Sequence, residues 1–264
     1  MLSVARRSED EQMSDTGQSA PAETIAPAAK FRSDVSVELV QAAAQDSDVV
    51  WSARVSTSGE KSIEAQNEDA SSSKGLINFL MKNRPGTPFE HNSMTFMVSA
   101  PIFVFREFHR HRVGWSYNEE SGRYRELAPV FYVPGPDRRL VQIGKAGRYE
   151  FVEGTAEQSR IVHESTIRAC ETAYGAYQEM LDAGVAREVA RGVLPVSTFS
   201  TMYATCNARS LMAFLSLRTK DEDSTFPSYP QREIEMVGEL MEEQFARLMP
   251  ITHACFVANG RVSP

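Results

Sequence analysis

Apolar side chains along this chain recur in two rhythms, every second residue or every third to fourth, with polar stretches between them. Residues 1–32 show neither rhythm: they are rich in Ser, Ala, Pro, Glu and Asp and carry few large apolar side chains. Such a segment cannot offset the entropy of ordering, which predicts a disordered tail over 1–32 in front of a folded part over 33–264. VSVELV (35–40) alternates and predicts a short strand, and DSDVVWSARVS (46–56) a helix with Asp46 or Ser47 as its N-cap. GEKSIEAQNEDASSSK (59–74) reads as a polar loop. Leu76, Ile77, Leu80 and Met81 then return at helical spacing, PGTPFEH (85–91) stops that helix, and SMTFMVSA (93–100) alternates as a strand.

In PIFVFREFHRHR (101–112), Pro101 suits the first position of a helix, and the apolar Ile102, Phe103 and Phe105 come early. The basic groups therefore emerge together where the helix gives out. Val113 to Arg125 has little periodicity and reads as a loop, and FYVPGPDRR (131–139) as a turn. Residues 154–182 form a long helical pattern through Ile161, Ile167, Tyr174, Tyr177 and Leu181. GVAREVARGVLP (184–195) is a short helix that puts Arg187 and Arg191 on one face. VSTFSTMYATC (196–206) is a strand, NARSLMAFLSLR (207–218) a helix with Asn207 as N-cap, and Tyr229–Met249 the last long helix. There is no internal repeat. The whole reads as one mixed α/β domain, of α+β character, behind a tail.

Composition narrows what this domain does. With 264 residues, 42% of them hydrophobic, it has material for a substantial core. A net charge of −7 and a pI of about 5.4 argue against broad nucleic-acid binding, so any bound anion belongs in a focused pocket. Cys170, Cys206 and Cys255 are odd in number and far apart, which predicts neither a disulfide framework nor a zinc-cysteine site and suits a reduced cytoplasm. No apolar run approaches the roughly 18 residues of a membrane span.

Against that acidic background, Glu107 to Leu127, EFHRHRVGWSYNEESGRYREL, concentrates Arg110, Arg112, Arg123 and Arg125. Arginine forks pair with phosphate through charge-assisted hydrogen bonds of roughly 1.5–3 kcal/mol each, so converging arginines suit a nucleotide. The plainer alternative is a solvated helix end whose cations complement the dipole. SYNEESGRY adds hydroxyls, an amide, carboxylates and a glycine, the mixture that holds a polar ring and a ribose as well as a phosphate. His109, His111, Glu90 and His91 are of metal-ligating type, but neighbouring arginines repel a cation and an HxH on a helix splays its rings, so no metal is expected. There is no Rossmann G-x-G-x-x-G, no P-loop and no G-x-S-x-G elbow.

Arg110-His111-Arg112, eight residues, then Ser121, within RHRVGWSYNEESGRY, closely resembles the RHR…S signature of the flavin-dependent thymidylate synthases. The resemblance continues in family order through TPFEH (87–91), APIFVFREF (100–108), GVAREVARGVLP (184–195), NARSLMAFLSLR (207–218) and PQREIE (230–235), and covers about residues 35–250. It implies a single domain with a short central sheet flanked by long helices. It also implies reductive methylation of dUMP to dTMP with 5,10-methylenetetrahydrofolate as carbon donor and NADPH as reductant through FAD, in a homotetramer with shared active sites.

Carried over by position, the resemblance assigns Arg110, Ser121, Gly122, Arg123 and Arg191 to dUMP, with Glu107, Glu119 and Glu120 lining its site. It assigns Thr87, His111, Arg112, Asn207 and Arg209 to FAD, with Arg110 and Glu119 near both ligands. Arg218 is the catalytic candidate by resemblance, a cation against the uracil that favours its N3-deprotonated form and so a more nucleophilic C5; spacing alone favours a helix C-terminal arginine that satisfies the dipole. Ser121, with no base beside it by motif, is assigned to binding. Four features depart from the family pattern. Glu107 stands where Gln is common, the spacing to Ser121 is eight rather than seven, Ala213 replaces a frequent Asn, and TKDEDSTFPSYPQ (219–231) is longer than usual and lacks a histidine often found there. Two competing readings are an NADPH oxidase or another flavoenzyme, and a nucleotide-sensing or RNA-binding module without flavin.

Overall fold

The alternation in residues 93–101 is realised as β3 (Ser93–Pro101), whose every second side chain is buried. The computed structural model describes residues 28–67, 70–145 and 148–264. In chain order the elements before it are β1 (Lys30–Arg32), β2 (Ser36–Ala43), α1 (Asp46–Ser58) and α2 (Ala70–Asn83). After it come α3 (Ile102–Phe108), β4 (Trp115–Glu119), β5 (Val130–Tyr132), β6 (Val141–Lys145), β7 (Arg148–Val152) and α4 (Ala156–Asp182). The last are α5 (Arg187–Ala190), β8 (Phe199–Cys206), α6 (Ala208–Arg218), α7 (Arg232–Leu248) and α8 (Pro250–Ala258). The architecture is thus the expected mixed one, with long helices around a short sheet. No described helix is long and apolar enough to cross a membrane.

The central sheet runs β2-β3-β8-β4, antiparallel throughout, with β3 paired to β8 from Met94↔Cys206 to Pro101↔Phe199. Its buried face supplies Met94, Phe96, Val98, Met202 and Ala204, and the helices close over it with Phe105, Phe108, Leu211, Phe214, Val237, Met241 and Phe245. Each fully buried side chain of this size contributes about 1.5–3 kcal/mol. A smaller core of Phe131, Cys170, Tyr174, Tyr177 and Ala190 binds α4 to β5 and α5. All three cysteines are buried and free.

Several local expectations are corrected. Lys30–Arg32, expected within the tail, pair in parallel with Val130–Tyr132; the rest of that expectation, over 1–27, lies outside the described residues. The polar stretch from Gly59 forms a 3-10 segment over Gly59–Asn67, and α2 already begins at Ala70. Pro101 closes β3 and caps α3, which ends at Phe108, before the RHR triplet. Part of the expected 113–125 loop is β4, hydrogen-bonded to β8, and β6 and β7 pair antiparallel from Val141↔Val152 to Lys145↔Arg148. The helix expected to be last is followed by α8. Asp46 is the first residue of α1, behind Gln45, and its carboxylate instead caps α8, accepting from the backbone N–H of Ile251 and Thr252 at 2.9 and 2.8 Å. Asn207 caps α6 as expected, accepting from the Ser210 N–H at 2.9 Å.

Candidate active site

The turn that ends α3 is held by its backbone and leaves its cations free. Tyr117 on β4 donates its hydroxyl to the carbonyls of Phe108 (3.0 Å) and His111 (2.8 Å), and Ser210 on α6 donates to the carbonyl of Val113 (2.9 Å). Arg112 therefore sits between two anchored carbonyls. Its side chain and that of Arg110 are exposed, and among the described residues neither makes a hydrogen bond or ion pair. Gly114 explains how the loop comes so close to α6: its φ is +68°, and a Cβ there would lie 2.1 Å from Ser210 Oγ and 3.2 Å from Asn207 Nδ2. The α6 N-terminus, with Asn207, is thereby brought beside Arg112.

At the other end of α6, Arg218 is gripped by α3 and its turn. Its Nε donates to His111 Nε2 at 3.0 Å, its Nη1 pairs with the Glu107 carboxylate at 2.5 Å, and its Nη2 makes a longer 3.4 Å contact with the Glu107 carbonyl. The His111 imidazole is pulled down to about 4, first by burial and then by the charge of Arg218, so near neutrality it is an uncharged acceptor. It also meets the Phe214 ring edge-on at 4.9 Å, in the aromatic layer where Phe214 stacks on Phe108. A guanidinium has five N–H donors, so donors on Nη1 and Nη2 remain for a ligand.

A third group gathers around β4 and the segment after it. Burial raises Glu119; a hydrogen bond from Ser200 and the charges of His109 and Arg191 oppose that rise, and Glu120 adds to it. Ser121, Gly122 and Arg123 form a turn in which the Arg123 and Tyr124 N–H groups bond back to Ser121. A Cβ on Gly122 would lie 3.2 Å from Arg191 Cδ, so Arg191 passes close over this turn. Arg123 pairs with Glu188 at 2.7 Å and Arg125 with Glu120 at 3.2 Å. Both arginines are more than half exposed, and pairs of this kind contribute about 0–1 kcal/mol, so a phosphate can replace the carboxylate. Arg209 is less free than its assignment to FAD suggests: it bonds Glu90 and, through Nε at 2.7 Å, the Pro264 carbonyl. It lies over Gly86, beside Thr87.

The structure thus joins Arg218 with His111 and Glu107, and Glu119 with Arg191 beside the Ser121–Arg123 turn; Asn207 meets the loop at Gly114, two residues after Arg112, and Arg209 lies over Gly86, next in sequence to Thr87. Sequence reading had no signal for Ser200 or Glu188, because the β4–β8 register and the approach of α5 bring them in, and it gave Tyr117 only as one hydroxyl of SYNEESGRY, without its anchoring of the turn. An open face carrying unpaired arginines, amide and hydroxyl groups and one oriented guanidinium suits a phosphate-bearing heterocycle. A cavity of about 820 Å³ lies elsewhere, between β6–β7 and the start of α7, and none of these residues lines it.

Comparison with known proteins agrees with this chemistry. Residues 38–251 match the family model described as "Thymidylate synthase complementing protein". A protein of Streptomyces avermitilis named flavin-dependent thymidylate synthase is 65% identical over 252 residues, 96% of this chain and 100% of that one. The UMP/dUMP methylase PolB from Streptomyces cacaoi, solved with 5-Br UMP, superposes with a TM-score of 0.83 at 55% identity, over 90% of this chain and 100% of that one. The same enzyme solved with 5-Br dUMP gives a TM-score of 0.83 at 56% identity, covering 89% and 100%.

Proposed function

The chain belongs to the flavin-dependent thymidylate synthase family, and on that premise we propose how its site converts dUMP to dTMP, with 5,10-methylenetetrahydrofolate as carbon donor and NADPH as reductant through FAD. The observation that carries this reading is the turn after α3, whose backbone is anchored on both sides of Arg112 while the Arg110 and Arg112 forks stay unpaired. A fold gains little from such an arrangement and an anionic ligand gains much.

The residues present fit a flavin dinucleotide. Arg112, Asn207 and Thr87 would hold it, with Arg110 and Glu119 shared with the nucleotide; the close approach at Gly114 and the unpaired cations suit its pyrophosphate. Arg209 joins them once Glu90 gives way. When bound, the flavin supplies the reducing equivalents. Ser121, Gly122, Arg123 and Arg191, with Glu119 and Glu120, would bind and orient dUMP, the Arg123–Glu188 pair opening toward the phosphate. Arg218 places a fixed positive charge against the uracil, stabilising the negative charge left when N3 loses its proton. Neutral His111 keeps that guanidinium in place without a competing cation.

The open face of a single chain suits a homotetramer in which neighbouring subunits complete each site, and three buried free cysteines suit work in a reducing cytoplasm. The test is product analysis: purified protein with dUMP, methylenetetrahydrofolate, NADPH and FAD should yield dTMP. NADPH consumption without dTMP would favour the oxidase reading. A second reading, that UMP is methylated too, is favoured by the solved neighbour's description as a UMP/dUMP methylase and its two bromonucleotide complexes. The same assay with UMP decides it.

A further inference from the structure

Arg218 does not stand alone. Of the groups facing it, Glu107 comes from α3 and His111 from the turn after it. Its neighbour Lys220 is exposed, and the Lys220 backbone N–H is held by Glu235 of α7 at 3.2 Å. Behind Thr219, Arg261 is closed off by Glu242. Among the described residues, Glu107 is thus the carboxylate in direct contact with the Arg218 guanidinium. A carboxylate against a guanidinium does two things at once: it fixes the fork's orientation, and it offsets part of the field the cation projects onto a neighbouring base.

We propose that Glu107 is a positioning residue that governs Arg218, so that the acidity of bound uracil is set by the Glu107–Arg218 pair and not by Arg218 alone. The inference rests on the reading of this face as the dUMP site. When the N3–H bond breaks, its electron pair stays on N3 and the proton leaves to water. Arg218 lowers the energy of the resulting anion, and Glu107, paired to the same guanidinium, offsets part of that effect. The pair therefore holds the base nearer its neutral form than an arginine–glutamine pair would.

Substituting glutamine keeps the shape and one acceptor but removes the charge. In Glu107→Gln, N3 of bound dUMP should titrate at a pH about one unit lower, the size expected for one charge acting at several ångströms in a partly solvated site. The titration is followed on the flavin-loaded protein by NMR of 15N-labelled dUMP, with the pH profile of dTMP formation moving the same way. Glu107→Asp, which keeps the charge, should leave the titration near that of the unchanged protein. Glu107→Ala frees the fork and should lower kcat more than it raises KM for dUMP. A Glu107→Gln titration that coincides with the unchanged protein, or moves upward, overturns the proposal. Arg218→Ala separates the two failures. If it moves the titration upward while Glu107→Gln does nothing, only the governing role falls; if neither variant moves it, or dUMP does not bind, the reading of the site falls as well.

Discussion

Arg261 and Arg112 are the same residue type put to opposite uses. Arg261 is buried, adopts a φ of +56°, bonds both Glu242 oxygens at 2.7 Å and the Thr219 hydroxyl at 2.7 Å, and lies over the Phe256 ring. Arg112 is exposed and without a partner among the described residues, although the backbone around it is pinned by Tyr117 and Ser210. A charge taken out of water must be matched within the fold, while a charge left in water is matched by solvent until a ligand arrives. What marks Arg112 as functional is therefore the combination of a fixed backbone and a free head. Exposure alone would not.

The largest expected effect comes from breaking the buried pair. Arg261→Ala takes both guanidinium bonds from the Glu242 carboxylate, leaving it the one to His253, and should destabilise the fold by about 3–5 kcal/mol, read as a fall in the denaturation midpoint of flavin-free protein. Arg112→Ala should leave that midpoint where it is. An equal loss in both would erase the contrast. Arg218→Ala should leave FAD and dUMP measurably bound and lower turnover by about 10²–10³-fold, the range for one group that stabilises developing charge. Near-normal turnover would remove its assigned role.

Arg112→Ala should weaken FAD binding by about 1.5–3 kcal/mol, the contribution of charge-assisted hydrogen bonds, and so purify largely without flavin absorbance. Full loading would contradict the assignment. Smaller still, Ser121→Ala should weaken dUMP binding by about 0.5–1.5 kcal/mol with chemistry retained at saturation; complete loss of chemistry would argue for a nucleophilic serine.

The two regions also differ in their response to acid. His111 is neutral and held near 4 in the fold, below its ordinary 6.5, so the unfolded chain binds its proton first and stability falls as pH drops from about 6.5 to 4. Burial pushes the Glu242 carboxyl up, but hydrogen bonds from His253 and Arg261 and their charges overcome it and bring it to about 2. Its contribution, complete above the ordinary carboxylate value, is lost as pH falls from there to about 2. Melting temperatures between pH 7 and 3 should show the first loss shrink in His111→Asn and the second in Glu242→Gln.

How much of this was legible in the sequence follows the range of the forces involved. The β3 and β8 alternation, the Asn207 cap and the apolar rhythm of α4 are local, and they came out as expected. WSYNE has no β-branched residue and by itself resembles a loop; its alternation of half-buried Trp115, Tyr117 and Glu119 with exposed Ser116 and Asn118 gains meaning only beside β8. The α8 cap is supplied by Asp46, two hundred residues away, and no local pattern reports it. The arginine cluster was visible as composition. Which arginines are held, by Glu107, Glu188, Glu90 or Glu242, depended on the fold.

The unpaired arginines and the oriented Arg218 stand together here as one proposed site for flavin and nucleotide. The most direct test is the visible absorption spectrum of the purified protein, recorded before and after anaerobic addition of NADPH, with and without dUMP. An oxidised-flavin spectrum that bleaches faster when dUMP is present is the expected result, tying cofactor, reductant and nucleotide to one place. A protein that shows no flavin bands even after FAD is added, or whose bleaching ignores dUMP, would contradict it.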